Sequence, residues 1–302
     1  MHYVIGDVHG CFSDMMSLIT KINNMDESAQ FIFVGDLIDR GPEVDKVLAW
    51  CFENITSDGK YQTVMGNHEA MAYDWCTEWL KWRNYSETSK NIAYDPPHSA
   101  YDLMEWLMDM GELNIDYIRK YRDFVVAMPY SMKLDINTIW DKTVTYRIVH
   151  ADYSYDTLVS DDVQHENNLW GRTHKGNQDS GEIIIHGHTP TFSMEYKELV
   201  PDVSPGLIGY NDMAINIDGG CVFHSDYPMY PEMLCAIRLE DMCEIYPYEL
   251  KERYLQLVDN NAKRELQLKR YYEYDDKYVG RDNIKRERLL EILGKRSEEI
   301  EG

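Results

Sequence analysis

Five short apolar runs along the chain each end in a cluster of glycine and reactive polar residues. Tyr3-Val4-Ile5 leads into Gly6-Asp7, and Phe31 to Val34 leads into Gly35-Asp36. Thr63-Val64-Met65 precedes Gly66-Asn67-His68, Tyr146 to Val149 precedes His150, and Ile183 to Ile185 precedes His186-Gly187-His188. Uninterrupted apolar strands of this kind are buried on both faces, in sheets layered with helices. Between them the apolar spacing becomes helical. Met15, Leu18, Ile19 and Ile22 share one face of a helix over Asp14 to Ile22, for which Ser13 is the expected N-cap. Pro42 opens a second helix that carries Val44, Val47, Leu48 and Cys51. Strand, helix, strand gives a βαβ opening. Val125 to Met128, Ser131 to Leu134, Ala214 to Ile217 and Leu234 to Leu239 read as further strands, and two mixed sheets packed together between helices accommodate them all.

Two regions stand outside this pattern. Residues 71–122 are rich in Trp, Tyr and Met, with helical spacing at Trp75, Trp79 and Trp82 and again at Leu103, Trp106 and Leu107, broken by Asn91 to Ser99 with its Pro96-Pro97. They form an expected helical insertion beside the Asn67-His68 cluster, with the aromatics serving mainly as the insertion's own core. The second region, 251–302, is a charged, Tyr-rich and helix-prone extension with expected interruptions at Gly280 and Gly294. The organisation that follows is one body over 1–250, carrying the insertion, and a helical C-terminal extension over 251–302.

Length and composition narrow the class. A chain of 302 residues buries a sizeable core. No stretch approaches the roughly 18 to 20 consecutive apolar residues of a membrane span, and the first apolar run passes straight into Asp7 with no room for a signal peptide, so a cytoplasmic location is expected. The six cysteines are scattered without a C-x-x-C pair and are expected to be buried small hydrophobes. The net charge of −23 lies almost wholly before residue 251, since the extension holds 13 basic and 12 acidic residues. A body that acidic repels nucleic acid, and no nucleic-acid partner is expected.

The strand-end clusters have the composition of a two-metal site. Hydrolysing a phosphate ester requires a nucleophile, neutralisation of the phosphoryl oxygens and a proton for the leaving group, and two divalent metals supply the first two. Asp7 and His9, two apart after a strand, point to one side and can ligate one ion. Asp36 is the natural bridging carboxylate. Asn67 offers a neutral amide oxygen, and His150 and His188 two imidazoles, to the second ion. Mixed Asp, His and Asn ligation suits Mn, Fe or Zn better than Mg or Ca. His150 or His188 alone would read as a packed core histidine; five ordered clusters, each following a strand, outweigh that reading.

Taken in order, GDVHG, GDLIDRG, GNHE, HADY and HGHTP resemble the phosphoprotein phosphatase family of calcineurin-like metallophosphoesterases, and HADY at 150–153 with LWGR at 169–172 is similar to its bacterial and bacteriophage branch. The match runs from residue 3 to about 221, where NIDGG at 216–220 is similar to the family's closing strand. The resemblance implies a four-layer α-β-β-α metallophosphoesterase fold. It implies two divalent ions, manganese foremost, one held by Asp7, His9 and Asp36 and the other by Asp36, Asn67, His150 and His188. His68 becomes the general acid, oriented by Asp39, while Arg40 and Arg172, with Asn67, bind the substrate phosphate as a metal-bridging hydroxide attacks in line. Pro190 stands where broader metallophosphoesterases place a further histidine ligand, so His186 is expected to support the site from behind. The implied activity is that of a phosphomonoesterase on phosphorylated protein, above all phosphoserine and phosphothreonine. Symmetrical dinucleoside polyphosphate hydrolases share the metal motifs, but typically replace the residue matching Asp39. A small-molecule or nucleotide phosphatase and a non-catalytic scaffold are the other readings.

Overall fold

The computed structural model describes residues 1–86, 115–224, 229–256, 261–278 and 284–295. Its chain opens β1 (His2–Ile5), α1 (Phe12–Met25), β2 (Gln30–Phe33), α2 (Val44–Asn54), β3 (Tyr61–Thr63), with β1, β2 and β3 side by side and parallel. Helices α3 (Asn67–Ser86) and α4 (Ile115–Val126) follow. The second half brings β4 (Ser131–Asn137), β5 (Thr143–Val149), α5 (Asp161–Trp170), β6 (Glu182–His186), α6 (Met194–Leu199), β7 (Gly209–Asn211) and β8 (Ala214–Asn216). After β9 (Ala236–Arg238) and β10 (Cys243–Ile245) the described chain ends in α7 (Leu250–Leu255), α8 (Asn261–Tyr278) and α9 (Ile284–Leu293). The strands form two mixed five-stranded sheets, ordered β10-β9-β1-β2-β3 and β4-β5-β6-β8-β7. The expected pair of mixed sheets within an α/β fold is therefore present.

Alternation along the strands explains how the sheets stack. Val4 and Ile32 face the core between the two sheets, where they meet Tyr146, Ile148, Ile183 and Ile185. Their neighbours Tyr3, Ile5, Phe31 and Phe33 face the other way, onto Leu18, Ile22, Val47 and Leu48 of α1 and α2. Side chains two apart share a face of a strand, so each β1 or β2 residue belongs to one core or the other. On the outer face of the second sheet, Val149, Ile184 and Ala214 lie against Tyr153 and Tyr155.

Several expectations change. Val125 to Met128 is not a strand: Ile118, Tyr121 and Val125 are buried along one face of α4, which ends at Val126 before Pro129. A short apolar run fits a buried helix end as well as a strand, and the 3-4 spacing upstream decides. Ser13 does not cap α1. The helix begins at Phe12 behind Cys11, and the Ser13 amide instead donates to Glu43 Oε2 at 3.0 Å. Strand β3 sits two residues earlier than its apolar run, and the Asn67-His68-Glu69 cluster is the first turn of α3 rather than a loop. Trp75 and Trp79 are buried in the same core as Tyr3 and Phe31, not in a core of their own. The Trp82 side chain, Asn91 to Ser99, Leu103, Trp106, Leu107 and Gly280 lie outside the described residues.

The described C-terminal helices are docked on the body. Arg253 of α7 is buried, donates to the carbonyls of Cys221, Pro231 and Glu232, and pairs with Asp14 of α1 at 2.9 Å. Tyr274 of α8 donates to the Pro205 carbonyl. Leu289, Leu290 and Leu293 of α9 join the core between the sheets. Helix α9 stops at Gly294, whose φ of 105° is the left-handed conformation that ends helices. All six cysteines are free thiols, four of them buried. No helix among the described residues is long and apolar enough to cross a membrane.

Candidate metal centre and active site

The C-terminal ends of β1, β2, β5 and β6 and the start of α3 deliver their polar residues to one place. Each turn there is tight. His9, Asp36, Asp39, Arg40 and His188 all have positive φ, between 43° and 71°, a conformation that costs a non-glycine residue energy and persists where the surroundings enforce it. Two glycines are required by close approach. A Cβ on Gly66 would collide with the backbone amide and carboxylate of Asp36, and one on Gly187 would overlap the carboxylate of Asp7.

The side chains of this pocket are of the kind and arrangement that could hold metal ions. His150 Nδ1 lies 2.9 Å from the Val34 carbonyl, and His9 Nδ1 lies 2.8 Å from the Ile38 carbonyl. Burial pushes both imidazoles down to about 3, so they are neutral near pH 7. A neutral ring that donates from Nδ1 carries a bare lone pair on Nε2. His150 Nε2 faces Asn67 Oδ1 at 2.7 Å and Asp36 Oδ1 at 3.4 Å, and His9 Nε2 faces Asp36 Oδ2 at 3.4 Å. His188, pushed down to about 2 by burial and by the neighbouring His150, brings Nδ1 to 3.0 Å from the same Asn67 oxygen. At His150 Nε2 and Asn67 Oδ1 an acceptor aimed at an acceptor in a buried site fits a metal ion between them, whereas the His9 Nε2 lone pair is met by Arg40. Asp36 with His150 and His188 is one group that could hold a metal ion, and Asp36 with His9 and His68 is another.

Asp7 sits at the edge of this set. Its Oδ2 accepts the His188 amide at 2.9 Å, its Oδ1 is buried without a partner, and burial together with Asp218 and Asp36 raises its carboxyl well above the usual range. His68 occupies the position nearer Asp36 and His9. Its Nδ1 is 2.6 Å from Asp39 Oδ2, and its Nε2 is 3.9 Å from Asp36 Oδ2. Burial works against a charged ring here, but Asp36 and the Asp39 hydrogen bond outweigh it and the His68 pKa is raised. Arg40 Nη1 donates to His9 Nε2 at 2.7 Å while its guanidinium stacks on Phe223. Arg172 lies at the rim, where Nη1 reaches Thr189 Oγ1 at 3.2 Å and Glu195 Oε2 at 2.9 Å. His186 is not part of either ligand group; it stacks on His174 at 5.3 Å behind His188.

Two carboxylates that hold the site were not singled out from sequence. Glu69, buried at the end of GNHE, accepts the amides of Asp36 (2.7 Å), Leu37 (2.9 Å) and Gly66 (3.1 Å), and burial raises it to about 7. Asp218 of NIDGG accepts the Gly220 amide at 2.9 Å and is likewise raised to about 7 by burial. Their signal was membership of the motifs themselves, GNHE and NIDGG.

A dinuclear cation cradle at strand ends in a two-sheet α/β sandwich defines a metallophosphoesterase. The chain belongs to the calcineurin-like phosphoesterase family, which matches residues 3–205. It is 44% identical over 116 residues to the symmetrical bis(5'-nucleosyl)-tetraphosphatase of Hamiltonella defensa, a match that covers 38% of this chain and 40% of that relative. It is 36% identical over 175 residues to serine/threonine-protein phosphatase 2 of Salmonella typhimurium, covering 56% of this chain and 67% of the other. A longer match, 24% identical over 253 residues, joins it to the asymmetrical bis(5'-nucleosyl)-tetraphosphatase PrpE of Anoxybacillus flavithermus, covering 76% and 90%. The chain is a phosphoester hydrolase of this family, and its relatives include both protein phosphatases and tetraphosphatases.

Proposed function

We propose that the chain is a metal-dependent phosphomonoesterase of the protein serine/threonine phosphatase type. The observation that carries the reading is the buried Asp39–His68 pair at 2.6 Å, set against the metal cradle. Asp7, His9 and Asp36 would hold one divalent ion, and Asp36, Asn67, His150 and His188 the other, with manganese the first to try. When bound, two such ions neutralise phosphoryl oxygens and supply an activated water for in-line attack. The chain's own groups do the rest. Arg40 and Arg172, with the Asn67 amide, grip the phosphate oxygens. Asp39 accepts from His68 Nδ1 and keeps the ring charged, so Nε2–H is the proton delivered to the leaving oxygen.

Hydrolysis of a dinucleoside tetraphosphate is the second reading, favoured by the names of two of the relatives above. Asp39 weighs against the symmetrical enzyme. With manganese present, phosphoserine and phosphothreonine peptides are expected to give a higher kcat/KM than diadenosine tetraphosphate. A preference for the dinucleotide overturns the protein-phosphatase reading.

A further inference from the structure

One flank of the active site carries an aromatic groove with an acidic mouth. It has a volume of about 340 Å³ and lies between the first turns of α3, the end of α4 and the end of α5, at the lower end of the range for small-ligand pockets. Met71, Tyr73, Met128, Tyr130 and Trp170 form its walls. Trp170 is 39% exposed and meets the His188 ring edge-on at 6.0 Å, so one side chain that lines the groove also touches the candidate metal centre. The Tyr130 wall is braced by a parallel stack on His165 at 3.8 Å. Asp74 and Glu166, both exposed, complete the lining, and neither forms an ion pair among the described residues.

We infer that this groove receives a basic side chain of the phosphorylated substrate, an arginine or lysine two or three residues from the phosphorylated one. The inference rests on the protein-phosphatase reading above and names what that site selects. An aliphatic stem lies well on methionine and aromatic faces while its cationic head reaches carboxylates, and a guanidinium stacks on Trp or Tyr. The carboxylates disfavour an acidic or multiply phosphorylated group at the same place. The spacing also fits. Asp74 follows His68 by six residues of helix, about 9 Å along the axis, and an extended peptide covers that in two or three residues at about 3.3 Å each.

The test is a set of phosphoserine peptides with Arg, Ala or Glu scanned across the three positions on either side, assayed with the full chain and manganese beside p-nitrophenyl phosphate and diadenosine tetraphosphate. At one position two or three residues away, Arg is expected to lower KM about fivefold against Ala, with Glu raising it. In the double variant D74N/E166Q the Arg-to-Ala ratio is expected to fall below about twofold. Equal KM across the set, or an Arg preference that survives the double variant, overturns the inference while p-nitrophenyl phosphate turnover keeps the phosphatase reading standing. Preferential cleavage of diadenosine tetraphosphate, with its KM raised by W170A, assigns the groove to a nucleobase and overturns both readings.

Discussion

A histidine can deliver a proton from inside a buried site only if something holds it charged, and the role proposed for His68 rests on two carboxylates beside it. Asp39 binds Nδ1 at 2.6 Å, and Asp36 lies within 3.9 Å of Nε2. Loss of the proton donor in His68→Ala is expected to lower kcat about 100-fold or more, with metal content by elemental analysis unchanged. Loss of metal in that variant would instead make His68 a ligand, as its place beside His9 and Asp36 allows. At the rim, under the proposed mechanism, an incoming phosphate would compete with Glu195 for the Arg172 guanidinium. Both partners of that pair are near half exposed, so the pair is weak. Glu195→Gln is expected to lower KM for phosphopeptides by about two- to fivefold, read from initial rates at fixed manganese; an unchanged KM would mean that Arg172 does not meet substrate. The residues gathered at the candidate metal centre were legible because each is a reactive side chain just after a strand or, for Asn67 and His68, at the start of a helix. Glu69 and Asp218 were not, because their work is to hold backbone amides, and a sequence does not display which amides lie within reach of a carboxylate.

At the scale of elements, legibility followed how many neighbours an element needs to be defined. Strands β1, β2, β5 and β6 are buried on both faces and read as apolar runs. Strands β7 and β10, three residues each, went unrecognised, since Gly209–Asn211 and Cys243–Ile245 have no run to show and exist through pairing with β8 and β9. Val125 to Met128 taken alone reads as a strand, and the buried face of α4 is visible only when Ile118 and Tyr121 are counted with it. The C-terminal segment offered charge and tyrosine but no sign of where it docks; in the structure α9 closes the core between the sheets with three leucines. Leu293 is fully buried there. Leu293→Ala is expected to destabilise the fold by about 2 to 5 kcal/mol, measured by urea unfolding. A change below about 0.5 kcal/mol would mean that α9 does not belong to the folded core.

Across the whole molecule, a net charge of −23 gathered in the body that carries the site means that an anionic substrate approaches against the overall field. In the proposed mechanism Arg40 and Arg172 are the local cations that would offset it. The same body also buries histidines outside the candidate ligand set, which affects how stability varies with pH. His224, packed near Arg253 and 3.9 Å from Glu232, is pushed by burial down to about 3 from an ordinary value near 6.5. Between those values the unfolded chain binds a proton that the folded chain refuses. The stabilising contribution is therefore complete above about pH 6.5 and falls as pH drops through that window, by of order 1 kcal/mol per pH unit. His174, also lowered to about 3 by burial and by His186, acts in the same direction. Metal-free protein is expected to lose stability from pH 7 to pH 5 in urea unfolding, and His224→Asn is expected to have a shallower slope over that range whatever its stability at pH 7. Parallel slopes for the two proteins would mean that His224 takes up a proton as readily in the folded state as in the unfolded chain, with Glu232 offsetting its burial.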